Sequence, residues 1–79
     1  MRVVGQINHP QCTINLFYWN NKYLIKLEAG PLEQTFKISE WDIAGEDDLR
    51  QLVTEDFVQA ALARFEGMAG SLHRAMNPQ

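Results

Sequence analysis

Seventy-nine residues with a net charge of −3, of which 46% are hydrophobic and 22% charged, describe one folded domain over residues 1–79 and exclude a disordered chain. The single cysteine excludes an internal disulfide, and no stretch approaches the roughly 20 apolar residues needed to cross a membrane. A chain this short buries only about 60–65% of its unfolded surface, so its core is small and a partner subunit can help to hold it.

The first strand is expected over about residues 2–8. Asn8-His-Pro-Gln11 follows as a turn cluster, with Pro10 supplying a fixed φ. Strands over 12–19 and 22–29 flank Asn20-Asn21, a pair suited to a type I′ turn because Asn tolerates positive φ. A two-residue turn there sets Trp19 opposite Lys22, Tyr18 opposite Tyr23, Leu16 opposite Ile25 and Ile14 opposite Leu27. Pairing Ile7 with Cys12 across the first turn sets Gly5 opposite Ile14 and Val3 opposite Leu16. Gly30-Pro31 ends the third strand, and a fourth runs over 32–38. Its tightest register sets Glu28 against Glu33, a like-charge pair that a longer loop would relieve.

From Ser39 the period changes. Ser39-Glu-Trp-Asp42 has the spacing of a capping box, and Gly45 is expected to stop any helix begun there. Leu49, Leu52 and Val53 form an i, i+3, i+4 group, which predicts a helix over 46–53. Thr54 then caps a second helix over 55–72, with Glu55 and Asp56 at its positive end. Phe57, Val58, Ala61, Leu62, Phe65, Met68, Ala69 and Leu72 follow at helical spacing. Gly67 and Gly70 are expected to weaken its last turns, and Asn77-Pro78-Gln79 to fray.

Four consecutive antiparallel strands followed by helices give an α+β two-layer fold, a meander sheet with helices on one face. Strand parity sorts the two faces. Val3, Ile7, Cys12, Ile14, Leu16, Tyr18, Tyr23, Ile25, Leu27, Phe36 and Ile38 fall on the face that the helical stripe covers. Arg2, Val4, Gln6, Phe17, Trp19, Lys22, Leu24, Lys26 and Lys37 fall on the other, which is mixed in character. An antiparallel sheet can leave one face in water, but Phe17, Trp19 and Leu24 together exceed scattered exposure.

No other constellation carries chemistry. His9 and Cys12 are close in sequence, but a metal site needs about four ligands and a nucleophile needs an oriented base in a cleft. Glu46-Asp47-Asp48 lacks the alternating ligand spacing of a calcium loop and suits a helix N-terminus. No glycine-rich phosphate loop or Ser-His-Asp set is present. A noncatalytic chain without metal or cofactor is therefore expected. The lone cysteine and the absence of a secretory apolar run over Met1–Gln6 lead us to expect a cytoplasmic protein.

The charge is lopsided. Over residues 1–39 four Lys and Arg stand against two Glu, a net +2, whereas over 40–79 three Arg stand against eight Asp and Glu, a net −5. Lysines beside Phe17 and Trp19 also have the makings of a stacking platform for single-stranded nucleic acid. The run Phe17-Tyr-Trp-Asn-Asn-Lys-Tyr-Leu-Ile-Lys-Leu-Glu28, followed by Lys37-Ile-Ser-Glu-Trp41, together with the order of four strands and then helix, resembles single-stranded nucleic-acid-binding modules of the transcriptional coactivator and PUR type. That resemblance implies a domain that pairs into dimers and binds strands on a curved sheet face. The expectation is a small domain that self-associates or binds a protein partner through the face bearing Phe17, Trp19, Lys22, Leu24, Lys26, Lys37 and Arg2. Weak binding of single-stranded DNA or RNA by the same face is the alternative.

Overall fold

The computed structural model describes residues 1–78, so Gln79 and the fraying expected of it lie outside the described residues. Strands β1 (Arg2–Ile7), β2 (Thr13–Trp19), β3 (Lys22–Ala29) and β4 (Leu32–Ser39) form one antiparallel sheet in sequence order. A 3₁₀ turn over Glu40–Asp42 leads to α1 (Glu46–Leu52) and then α2 (Glu55–Met76).

The central hairpin has the predicted register, from Trp19 opposite Lys22 to Thr13 opposite Glu28. Asn20 and Asn21 lie at φ 54° and 64°, the pair of positive values that a type I′ turn requires. The β3–β4 connection is also tight. Gly30 at φ +60° followed by Pro31 has the sign pattern of a II′ turn, and Ala29 pairs with Leu32. Glu28 therefore does face Glu33, and no longer loop separates them. Lys26 Nζ at 3.7 Å and the Thr35 hydroxyl, donating at 2.9 Å, both engage Glu33 and offset the like-charge pairing. Nothing lies within 4 Å of a Cβ built on Gly30, so only backbone strain opposes substitution there. Gly30→Ala is expected to lower stability by about 1–2 kcal/mol, seen as a lower urea midpoint at unchanged slope.

β1 departs from expectation. Ile7 pairs with Ile14 rather than Cys12, and Gly5 with Leu16, a two-residue shift that preserves parity. A bulge between Val3 and Gly5 then reverses parity beyond it. Val4 packs on the core, Val3 points into solvent, and Arg2 turns to the helical side. Two contacts explain the change. His9 Nδ1 accepts the Gln11 N–H at 3.2 Å, which winds the turn locally. The Arg50 guanidinium donates to the Val4 carbonyl at 3.3 Å and fills the space that a Cβ at Gly5 would need.

The core lies between the sheet and the helices. Ile14, Leu16, Ile25 and Leu27 from the sheet meet Leu49 of α1 and Val58, Ala61 and Phe65 of α2. At about 1.5–3 kcal/mol per fully buried large side chain, this layer holds the fold. The Thr54 hydroxyl accepts the Phe57 N–H at 3.1 Å and caps α2 as its sequence predicts. Ser39 caps the 3₁₀ turn through the Trp41 N–H. Gly45, at φ +155°, sits at the start of α1 rather than at the end of a preceding helix. α2 runs four residues beyond its predicted end at 72, through both glycines, until Asn77 closes it on the His73 carbonyl at 3.0 Å.

Candidate interaction surface

The uncovered face is built by alternation. Phe17 and Trp19 on β2, Lys22, Leu24 and Lys26 on β3, and Lys37 on β4 all project away from the helices, as parity predicts. They are not equally available. Leu24 is only 7% exposed although no helix covers it, because its cross-strand neighbours Phe17 and Lys37 close over it. Phe17 is half-buried, and Lys26 Nζ sits 5.8 Å from its ring centroid in a cation–π contact. These side chains form a floor. Trp19 stands above it at 52% exposure, with Lys22 and Lys37 exposed nearby. Among the described residues neither of those two lysines lies within ion-pair distance of a carboxylate.

Arg2 does not belong to this face. Its guanidinium pairs with Glu46 of α1 at 3.0 Å and lies 5.3 Å from the Tyr18 ring centroid, both on the helical side. The bulge that removes Arg2 brings Val3 out in its place, at 66% exposure. Trp41 is a further exposed aromatic, at 86%, in the 3₁₀ turn after β4. It lies at the Asn20-Asn21 end of the sheet, since the Glu40 N–H donates to the Asn21 carbonyl at 3.1 Å. Neither residue is obvious from the pattern. Gly5 inside a strand is the one signal of the bulge, and Trp41 falls where the strand period has already ended.

On the helical side several polar groups are engaged with one another. The Tyr18 hydroxyl donates to Glu40 at 2.6 Å, and this hydrogen bond, followed by partial desolvation, raises its pKa above the ordinary 10.0. Glu40→Gln is expected to bring the Tyr18 transition back down, read by ultraviolet absorbance in an alkaline titration.

His9 makes its hydrogen bonds to groups other than Cys12. A backbone N–H can only donate, so His9 Nδ1 is an acceptor and Nε2–H points to Glu55 at 3.3 Å. Burial, and then the nearby Glu55 carboxylate, push the Cys12 thiol above its ordinary value, away from thiolate character. Glu55 itself is held below its ordinary 4.5 by hydrogen bonds from Gln59 and then His9. Its folded-state pKa is depressed, so its contribution to stability is present above that ordinary value and is lost as pH falls through the lowered one. The acid limb of a urea-midpoint profile should therefore shallow in Glu55→Gln.

No group of three or more His, Cys, Asp or Glu is placed to hold a metal among the described residues, and none of their helices is long and apolar enough to cross a membrane. Comparison of the chain with models of known protein families, with curated proteins and with solved structures finds no match.

Proposed function

We propose that this chain is a noncatalytic binding module that docks a protein surface on the sheet face around Trp19. One observation carries the reading: Trp19 and Val3 stand exposed above a floor that Leu24 and Phe17 have already closed. An aromatic held on a rigid strand loses little freedom on binding, and Trp is the residue most enriched among interface anchors. Lys22 opposite Trp19 and Lys37 on β4, across from Leu24, ask for an apolar patch on the partner flanked by carboxylates.

A photo-cross-linking residue placed at position 19 in producing cells tests this. A discrete adduct is expected, and it should weaken several-fold when Lys22→Glu and Lys37→Glu are added. The adduct's mass distinguishes a second copy from a different protein, and the absence of any adduct contradicts the reading.

Single-stranded nucleic acid is the second reading, favoured by two lysines without an ion-pair partner among the described residues, on the same sheet face as an exposed ring. Fluorescence titration of a Trp41→Phe variant, in which Trp19 is the only tryptophan, decides it. Phosphate contacts are strongest at low salt, so quenching by oligonucleotides should appear there first. Lack of quenching at low salt removes this reading.

A further inference from the structure

The second unpartnered surface is the end of α2. A 79-residue globule has a radius of gyration of about 12 Å, whereas this chain has 14.2 Å and a longest extent of 49 Å. The excess comes from α2, whose 22 residues span about 33 Å. Met68 is its last residue against the core, and the helix continues for two more turns. Those turns carry Leu72 at 40% and Met76 at 72% exposure. Beneath them lies an open hollow of about 550 Å³ whose apolar wall includes Leu32, Phe65, Ala69, Leu72 and Met76. On the other flank of the helix a wider hollow of about 1080 Å³ shares Pro31, Leu32 and Leu72. Two turns of bare helix containing Gly70 are marginal in water, so helix as far as Met76 calls for cover.

The rim of the hollow states what the cover is. Glu66 borders it on the N-terminal side and His73 on the C-terminal side, two turns apart on one helix face, and Arg74 follows His73. The midpoint between Glu66 and His73 falls between Ala69 and Gly70, two small residues of a segment that also holds Gly67 and Ala75. A two-fold axis crossing there sets an identical helix antiparallel. It brings Glu66 against the partner's His73 twice over, lets the axes approach closely at Ala69 once the flexible Arg74 guanidinium, which lies over Gly70, swings aside, and encloses Leu72 and Met76 of both copies. A parallel arrangement would set like groups together. We propose that the α2 overhang is the homodimer interface of this protein, its occupant being the same segment of a second copy. It lies at the β3–β4 turn end of the sheet, opposite Trp19, so each protomer keeps its own docking face.

Sedimentation velocity from low to high micromolar concentration tests the proposal, with circular dichroism confirming that each variant keeps its fold. Leu72 and Glu66 are exposed, so substitution there spares the core. The wild type is expected to be a dimer, Leu72→Asp and Glu66→Lys monomers, and the charge-swapped Glu66→Lys/His73→Glu a dimer again. Trp19→Ser should leave the dimer unchanged. The proposal is overturned by a wild type that stays monomeric, by a dimer that survives Leu72→Asp, by a double variant that remains monomeric, or by a dimer that Trp19→Ser dissociates. The last result moves self-association to the sheet face.

Discussion

Leu49→Ala is expected to cost about 3–5 kcal/mol, a large share of the whole stability of a domain this small. Domains of this size have roughly 4–12 kcal/mol in total. Leu49 is fully buried and is the only buried residue of α1. A seven-residue helix has no stability of its own, so α1 exists because Leu49 inserts between the sheet and α2. Its other ties are weak. The Arg2–Glu46 pair is about half exposed on both sides, and pairs of that kind contribute roughly 0–1 kcal/mol. Arg50→Ala, which removes the bond to Val4 and the guanidinium over Gly5 but no buried apolar side chain, is the control and should cost about 1 kcal/mol. Urea denaturation followed by circular dichroism measures both, and similar losses for the two variants would show that α1 is held by its polar rim instead.

Phe65→Ala is expected to cost about 3–5 kcal/mol as well, but with a different signature. Phe65 is the last buried residue of α2. N-terminal to it the helix is tied by the Phe36–Phe57 ring contact at 5.0 Å and by Gln34, which donates to the Ala61 carbonyl at 2.8 Å and accepts from Arg64 at 2.9 Å. C-terminal to it, among the core-packed residues, only Met68 remains. Removing the ring should therefore release residues 66–76 first. Amide hydrogen exchange should show protection lost there while Val58 and Ala61 stay protected until global unfolding. Leu72→Ala, in the same helix but outside the core, should leave the protection of the core strands unchanged. Uniform loss of protection along α2 in Phe65→Ala would contradict this division.

The parts of this fold legible in the sequence are those with a local cause. Asn20-Asn21 is a local turn signal between two strand-like runs, and only one register puts Ile14, Leu16, Ile25 and Leu27 together. Thr54 with the apolar stripe after it is likewise local. The errors come from distant residues. Arg50 reaches Gly5 from 45 positions away along the chain, and the bulge it accompanies exchanges Val3 with Val4 and removes Arg2 from the candidate surface. Counting parity straight back from the turn could not reveal this, although a glycine inside a strand is a reason to distrust the count. Leu24 sits on the predicted face, but its burial depends on how Phe17 and Lys37 close over it, which alternation does not encode. The far end of α2 exceeds its prediction because no residue before Asn77-Pro78 stops the helix, glycines included.

Everything functional here depends on one sheet face being closed by helices while the other stays open. Hydroxyl-radical footprinting of the purified chain, read by mass spectrometry, measures that directly. Strong oxidation is expected at Trp19, Trp41 and Val3, and very little at Ile14, Leu16 and Ile25. Oxidation of Ile14 and Ile25 with Trp19 protected in the free chain would mean that the helices cover the other face, and would contradict both the fold and the docking surface built on it.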